Sequence, residues 1–248
     1  MELEGKTAVV TGAGNGLGLE IARRCAREGA RVALWDMQTE SIRKLAGEID
    51  PSGMSALPVH VDVTSESEVA AATEATLDTF GRIDILVNNA GISRHRTLEE
   101  TTLELWEIVI KVNLTGPFLC CRAVAPIMKR QHFGKIINIA SLGGRTGRPG
   151  VGVNYAASKG GVIAMTKCLA KELGSYNIYV NSICPGTIYT EQTGQYPKEV
   201  FESWIAGRAV PKHGMPEDVA DAVVFLASSR SDWITGVTLD VNGGIFMA

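Results

Sequence analysis

A tyrosine and a lysine four residues apart, Tyr155 and Lys159, are the side chains in this sequence best suited to chemistry. That spacing places both on one face of a helix. A phenol ionises near pH ~10 in water, so a tyrosine that accepts a proton at neutral pH needs a stabilised phenolate, which a cation one helical turn away supplies. The pair therefore predicts a general acid/base, although an isolated pair would more often be a packed tyrosine covered by a lysine stem.

A glycine-rich turn near the N-terminus predicts a phosphate-binding site. Gly12, Gly14, Gly16 and Gly18 follow the first strand-like run and open a helix-like segment. Backbone amides at a helix N-terminus, with no side chains in the way, suit a pyrophosphate. Glycines also serve turns without a ligand, but here an acidic residue, Asp36, ends the second strand 20 residues beyond Gly16.

Asp36 predicts which dinucleotide is used. A carboxylate at this position accepts hydrogen bonds from the adenosine ribose hydroxyls, and its other interpretation is a turn or helix-capping residue. A carboxylate about 4 Å from a 2'-phosphate would be repelled by up to ~4 kcal/mol at an effective dielectric of 20. Neither Asn15 nor Met37 supplies a compensating cation. The sequence therefore favours NAD over NADP.

Composition places the chain among globular α/β proteins. Its 248 residues are 45% hydrophobic, and its net charge of -3 provides no basic field for a nucleic-acid partner. The five cysteines form no Cys-x-x-Cys pair, and no metal site is expected. With no leader-like N-terminus and no uninterrupted apolar run near ~20 residues, we expect a cytoplasmic protein without a membrane partner.

Apolar runs rich in Val and Ile alternate with amphipathic segments, which is typical of repeated βαβ units. Strands are predicted at 6–12, 31–36, 55–63, 83–90, 134–141, 178–184 and 236–241. Helices are predicted at 17–28, 39–49, 66–80, 101–130, 154–175 and 216–228. The long irregular stretch 187–212 is interpreted as a substrate lid within one domain, 1–248.

The motifs together resemble one enzyme family. The motifs that carry the resemblance occur in that family's order: Gly12, Gly16 and Gly18, the run Asn88-Asn89-Ala90-Gly91, Asn113, Ser141, the Tyr155–Lys159 pair and Pro185-Gly186. Their combination resembles the short-chain dehydrogenase/reductases over essentially the whole chain. One departure is the 14-residue interval from Ser141 to Tyr155, one residue longer than is common there.

The resemblance implies a fold and a mechanism. The fold is a Rossmann-like, doubly wound parallel sheet of seven strands with helices on both faces, usually in a homotetramer. Tyr155 would be the general acid/base, Lys159 would assist it and hold the nicotinamide ribose, Ser141 would bind the substrate oxygen, and Asn113 would position a water. The subunit interfaces are expected on residues 101–130 and Val237 to Phe246.

The resemblance also implies the residues that contact the cofactor. These are Gly12, Asn15, Gly16, Leu17, Gly18, Asp36, Asp62, Val63, Asn89, Ala90, Gly91, Tyr155, Lys159, Pro185, Gly186, Ile188 and Thr190. Asn88 and Asn89 have a second interpretation as turn residues at a strand end.

The substrate is predicted from charged residues that border the pocket in that family. The candidates are Arg94, His95, Arg96, Gly143, Arg145 and Arg148. Arginines bind carboxylates and phosphates bidentately, although for any single residue a solvated or neighbour-paired side chain is somewhat the more common case. The cluster favours a small polar alcohol or ketone, such as a polyol, sugar or hydroxy acid. The alternatives are a 3-oxoacyl-(acyl-carrier-protein) reductase, which usually takes NADPH and against which Asp36 argues, and a catalytically inactive NAD-binding sensor.

Overall fold

The computed structural model describes residues 1–147, 150–190, 193, 195 and 197–247. Within them, seven parallel strands form one sheet in the order β3-β2-β1-β4-β5-β6-β7. The strands are β1 Thr7–Thr11, β2 Arg31–Asp36, β3 Ala56–His60, β4 Ile85–Asn88, β5 Gly134–Ile139, β6 Ile178–Pro185 and β7 Thr238–Val241. The prediction of a doubly wound, seven-stranded parallel sheet is confirmed.

Helices cover both faces of this sheet. They are α1 Gly16–Arg27, α2 Thr39–Ile49, α3 Glu66–Phe80, α4 Leu103–Ile110, α5 Gly116–Gln131, α6 Leu142–Thr146, α7 Val153–Leu173, α8 Lys198–Trp204 and α9 Pro216–Ala227. One core packs α1, α2 and α9 against the sheet, and the other packs α3, α5 and α7 against the opposite face. Strands β1, β4 and β5 are buried along their whole length, as strands covered on both faces must be.

Strand order reverses between β1 and β4, which are neighbours in the sheet. At such a switch point the connections leave the two carboxyl ends in opposite directions and open a crevice between them. The glycine-rich turn follows β1 and the Asn-Asn-Ala-Gly run ends β4. Register pairs Val10 with Val87, so the two segments lie side by side at the edge of this crevice.

The structure differs from the predicted elements in three places. The predicted helix 101–130 is interrupted by a π-helical turn, Lys111–Thr115, between α4 and α5. Helix α6 was not predicted because its five residues include Gly143 and Gly144, which have low helix propensity. Helix α8 lies inside the stretch 187–212, where Pro197 precedes its first turn.

The helical run Leu103–Gln131 satisfies the length and composition of a membrane span within the described residues, although no such span was expected. Nearly half of its most apolar window, 44%, is buried in the protein. Its buried residues, including Leu119, Cys120 and Val124, belong to the core on the α3, α5 and α7 side of the sheet. Leu103, Ile108 and Phe118 remain exposed on its outer side, where a subunit interface is expected.

A pair of glycine substitutions tests how tightly the first turn is closed. A Cβ at Gly18 would overlap the carbonyl oxygen of Gly12 and the side-chain amide of Asn89. A Cβ at Gly47, an exposed position of α2, meets nothing within 4 Å. We expect Gly18→Ala to lower the free energy of unfolding by about 1–3 kcal/mol and Gly47→Ala to raise it by about 0.5–1 kcal/mol. Urea denaturation measures both. Equal stability of the two variants would contradict the close approach of α1 to this turn.

Candidate active site

The glycine-rich turn is closed by backbone geometry that other residues tolerate poorly. Gly12 has φ +66° and Gly16 has φ +53°, both in the left-handed region. Asn15 is the N-cap residue of α1, yet its side chain accepts no capping hydrogen bond. The first-turn amides of α1 are therefore available to an anionic ligand. Leu17 packs inward against the core.

Asn89 serves the backbone of this turn. Its Nδ2 donates to the carbonyl oxygens of Thr11 (3.0 Å) and Gly12 (3.1 Å). The hydroxyl of Thr11 accepts from the backbone N–H groups of Asn89 and Ala90, each at 3.0 Å. These bonds fix the end of β4 to the end of β1. The side-chain amide of Asn89 is thus committed to the turn, and its neighbour Asn88 bonds Asn138 within the core (2.8 Å).

Asp36 lies at the place where a ribose is expected. Its Oδ2 accepts from the backbone N–H of Gly14 at 2.8 Å, and its Oδ1 accepts from that of Gln38 at 2.8 Å. A Cβ at Gly14 would lie 3.0 Å from this carboxylate. Glycine at position 14 therefore leaves the carboxylate close to the turn that is predicted to hold the pyrophosphate.

Two of the expected cofactor residues, Asp62 and Val63, follow β3. Asp62 Oδ1 accepts from the N–H of Thr64 at 2.9 Å, and the N–H of Asp62 donates to Glu68 at 2.9 Å. Val63 is buried, and a Cβ at Gly116 would lie 2.9 Å from it. The segment is thus held from two sides, by α3 and by the start of α5.

Lys159 is a buried cation at the carboxyl end of β5. The side chain is 4% exposed, and its Nζ donates to the carbonyl oxygen of Ile139 at 2.7 Å. Burial lowers the pKa of Lys159 to about 8, because water no longer solvates the charge. Nζ lies 5.9 Å from the centre of the Tyr155 ring, so the two groups share one pocket, as their spacing predicts.

Asn113 connects this pocket to the Asn-Asn-Ala-Gly loop. Its Oδ1 accepts from the N–H of Ile92 (2.8 Å), and its Nδ2 donates to the carbonyl of Ile92 (2.9 Å) and to Ser158 Oγ (3.1 Å). A Cβ at Gly91 would lie 3.2 Å from Asn113 Oδ1 and 3.5 Å from Lys159 Nζ. The π-helical turn at Lys111–Thr115 carries Asn113, and such turns are frequent at functional sites.

Ser141 begins α6. Its Oγ accepts from the backbone N–H of Gly143 at 3.1 Å and caps the helix. Near it lies Cys184, a buried thiol whose pKa burial raises to about 11. A high pKa leaves this thiol protonated at neutral pH, so Cys184 is a packing residue here.

The last expected cofactor residues, from Pro185 to Thr190, lie at the end of β6 and just after it. Gly186 N–H donates to the carbonyl of Val241 at 3.0 Å, immediately after Pro185. Ile188 forms a bridge with Gly214, and the N–H of Thr190 donates to Thr193 Oγ1 at 2.7 Å. Beside this segment lies a cavity of about 230 Å³. Apolar side chains line part of it, and four charged residues, Arg208, Lys212, Asp218 and Asp240, line the rest together with Thr187 and Asn242. The apolar side chains are those of Ile188, Ile205, Val210, Val241 and Ile245.

The basic substrate candidates do not converge on one point. Arg94 is exposed, and Arg96 donates to the carbonyl of His95 at 2.8 Å. The guanidinium of Arg145 is paired with Asp240 at 2.7 Å. Arg148 lies outside the described residues. The ring centre of His95 lies 6.3 Å from that of Tyr155.

His95 is oriented by hydrogen bonds on both ring nitrogens. Its Nδ1 accepts from the N–H of Gly152 at 3.2 Å, and its Nε2 lies 2.8 Å from Ser93 Oγ. This pattern suits a neutral imidazole with its proton on Nε2. The substrate candidate Gly143 is buried, and its amide is used by Ser141.

The arrangement fits a nicotinamide dinucleotide. Helix α1 presents its amides beside a carboxylate suited to ribose hydroxyls, and an ammonium has three donors, of which Lys159 uses one among the described residues. The remaining donors suit ribose hydroxyls and the phenol oxygen. Among the described residues, no group of three His, Cys, Asp or Glu side chains could hold a metal ion.

Comparison with known proteins finds one family model and many relatives. Residues 12–246 match a family described as enoyl-(acyl carrier protein) reductase, a branch of the short-chain dehydrogenase/reductases. A protein from Thermotoga maritima, named 3-oxoacyl-(acyl-carrier-protein) reductase, is 40% identical over 99% of both chains. Proteins with the same enzyme name from Synechocystis (41% identical, 99% of this chain and 98% of the relative) and Chlamydia trachomatis (40%, 98% of each) are equally similar.

These relatives overturn the predicted substrate. The interpretation as an oxidoreductase of a small polar alcohol or ketone, such as a polyol, sugar or hydroxy acid, is wrong: the full-length relatives carry the name of a 3-oxoacyl-(acyl-carrier-protein) reductase. The physical reason lies in the arginines. They were grouped by position in the sequence, whereas in the fold Arg145 faces Asp240 and Arg94 faces solvent.

The depressed pKa of Lys159 predicts how stability depends on pH. Below about pH 8 the ammonium is charged in both states, so the cost of burying it is fully present. Between about pH 8 and 10.5 the native state loses this proton before the unfolded chain does, and stability rises. Lys159→Met removes the cost. We expect its stability advantage over the wild type to shrink by about 3 kcal/mol between pH 7 and pH 10.5.

Urea denaturation of the ligand-free protein at both pH values measures this difference. Lys167→Met, at an exposed position of the same helix, is the matched control and should show no such trend. A pH-independent difference between Lys159→Met and the wild type would contradict a buried ammonium at this site.

Proposed function

The chain belongs to the short-chain dehydrogenase/reductase family, and from that premise we propose that it is an NADH-dependent 3-oxoacyl-(acyl-carrier-protein) reductase. The observation that carries the proposal is the end-to-end similarity, at about 40% identity, to enzymes of that name. The Tyr155–Lys159 pocket supports it, because reduction of a 3-oxo group needs one proton donor beside a dinucleotide site. The apolar side chains that line part of the cavity beside Ile188 are compatible with a substrate that carries an alkyl chain.

The catalytic roles in this proposal are those that the family resemblance implies for these side chains. Ser141 Oγ binds the 3-oxo oxygen and holds it near the phenol of Tyr155. When bound, NADH supplies the hydride for the carbonyl carbon. Tyr155 gives its proton to the oxygen, so the product is the 3-hydroxyacyl group.

Lys159 prepares Tyr155 for this transfer. Its buried ammonium lies in the same pocket as the ring, and a cation in a water-poor site stabilises a phenolate strongly. Asn113 holds the loop at Ile92 against Ser158, one residue from Lys159, and so fixes the lysine relative to the cofactor crevice. No metal takes part in this proposal.

The choice of NADH rests on Asp36. Its carboxylate is within hydrogen-bond distance of the Gly14 amide, at the mouth of the predicted pyrophosphate site. Asp36 does not argue against this reductase, because cofactor choice and substrate choice are independent. Asp36 recognises the ribose at one end of the crevice, while the substrate is selected at the other, so the carboxylate bears on cofactor choice alone.

The proposal includes a homotetramer in the cytoplasm. Leu103, Ile108 and Phe118 on α4 and α5, and Val237 at the start of β7, are exposed apolar residues on the two surfaces expected to be interfaces. Burying them against further copies of the chain would remove apolar area from water. Sedimentation of the purified protein measures this state.

The reaction itself is tested with an acetoacetyl group on acyl-carrier protein, following the absorbance of reduced nicotinamide. We expect turnover by the wild type and a loss of about 10²- to 10⁴-fold in Tyr155→Phe, because only the proton-transfer group is removed. The affinity of Tyr155→Phe for NADH should stay within about twofold of the wild type.

The control is Tyr179→Phe, whose hydroxyl bonds Asn177 on the surface far from this pocket. Undiminished turnover by Tyr155→Phe would contradict the mechanism. Tight NADH binding by the wild type without turnover of the carrier-bound substrate, with either NADH or NADPH, would favour the inactive NAD-binding sensor.

Cofactor preference is tested separately. We expect the wild type to bind NADH at least about tenfold more tightly than NADPH, which corresponds to about 1.4 kcal/mol. Asp36→Ala should weaken NADH binding and remove most of this preference, because the repulsion of the 2'-phosphate disappears. Fluorescence titration measures both constants. Equal affinities in the wild type, or a preference for NADPH, would refute the role of Asp36.

A further inference from the structure

Arg145 joins the segment after Ser141 to the far edge of the sheet. Its Nη1 donates to Asp240 Oδ2 at 2.7 Å, and its guanidinium lies 5.0 Å from the centre of the Phe246 ring. The two charged side chains are 21% and 20% exposed. Arg145 belongs to α6, Asp240 to β7, and Phe246 to the C-terminal segment, so the contact spans elements about a hundred residues apart in the chain.

The other side of α6 lies directly on the helix that carries Tyr155 and Lys159. A Cβ at Gly144 would lie 2.6 Å from the carbonyl carbon of Lys159 and 2.7 Å from the backbone nitrogen of Gly160. Glycine at position 144 is therefore required for this approach. Helix α6 is thus held between the backbone of α7 and the Arg145–Asp240 pair.

Helix α6 cannot hold itself in place. It has five residues, two of them glycine, and so short a helix is not stable without tertiary contacts. Ser141 is its N-cap and is bonded to Gly143 within it. Any shift of α6 moves Ser141 with it.

Stability alone does not account for the pair. Burial raises the pKa of Asp240, while Arg145 lowers it, and Oδ1 of the same carboxylate is buried without a hydrogen-bond partner in the described part of the chain. A pair with an unpaired buried oxygen is a weak source of stability but can specify one arrangement. The arrangement it specifies here is that of α6.

We propose that Arg145 and Asp240 form a positioning pair that sets the place of Ser141 against the substrate oxygen. The proposal rests on the proposed reductase function for the role of Ser141. It replaces substrate binding as the role of Arg145. Asp240 also lines the cavity beside Ile188, and the pair acts on Ser141 through α6.

The test is a double-mutant cycle between Arg145 and Ser141. Arg145→Met should lower kcat about 10- to 100-fold, because a misplaced hydrogen-bond donor loses most of its effect in the transition state. The dissociation constant of NADH should change less than about twofold. In the Ser141→Ala background, adding Arg145→Met should lower kcat by less than about twofold further. Additive losses would show a general structural effect and overturn the proposal.

Two further variants separate position from folding. The double variant Arg145→Met/Asp240→Leu removes both charges, so no lone buried carboxylate remains. It should fold as stably as the wild type. Its kcat should stay as low as that of Arg145→Met. Arg145→Lys should recover part of the lost kcat. Arg24→Gln, which breaks the Arg24–Asp221 pair between α1 and α9 (2.6 Å), is the control and should leave kcat unchanged.

Hydrogen exchange tests the same proposal without turnover. Arg145→Met should lose amide protection across residues 142–147, and Arg24→Gln should not. Unchanged protection there would overturn the positioning role even if the enzyme is active. The two proposals can fail separately. If Arg145→Met exchanges faster across residues 142–147 but the wild type does not reduce 3-oxoacyl groups, the positioning of α6 stands and the proposed function is rejected.

Discussion

The burial of one ammonium group, that of Lys159, is the constraint on which the site depends. A charge with so little access to water must be compensated, and the described compensation is the carbonyl of Ile139, which ends β5. Helix α7 must therefore cross the carboxyl end of β5 at the position that brings Lys159 to the carbonyl of Ile139. Its position in turn fixes Tyr155 one turn earlier, and the crevice beside β1 and β4 becomes the place where a ribose can satisfy the remaining donors.

Close backbone contacts, more than side-chain packing, hold the elements around that crevice. Helix α1 approaches the turn after β1 because Gly18 has no side chain, and Asn89 seals the same turn from β4. On the other side, Gly144 lets α6 lie on the backbone of Lys159. A glycine thus allows a close backbone contact on each side of the pocket, Gly18 on one side and Gly144 on the other. A sequence displays these glycines plainly, but it does not display which backbone each of them faces.

Local relations were predictable from the sequence and distant ones were not. Tyr155 and Lys159, or Gly16 and Asp36, are related by helix period and by one βαβ unit, and all seven strands were found from apolar runs. The π-helical turn at Lys111–Thr115 leaves no signal in that periodicity. The prediction for Arg145 was wrong because its partner, Asp240, lies on a strand 95 residues later. The pairing of β7 with β6 brings that strand into the sheet, and the sequence does not show this pairing.

The substrate prediction was wrong for the same reason, because it depended on contacts between residues distant in the chain. It also shows that different elements of the fold carry different parts of the function. In the proposed reductase, the carboxylate for the ribose lies on β2, the proton donor lies on α7, and the candidate substrate segments are the connections after β4, β5 and β6. Asp36 bonds the backbone of Gly14 and Gln38, which lie outside those connections. A preference for NADH would therefore bear on the cofactor and leave the acyl or sugar character of the substrate open. Tyr155, Lys159 and Ser141 would act in the same way on an acyl substrate and on a sugar, because each presents the same hydroxyl or keto oxygen. The connecting segments, where arginines can turn inward or away, are therefore where one alcohol can be distinguished from another.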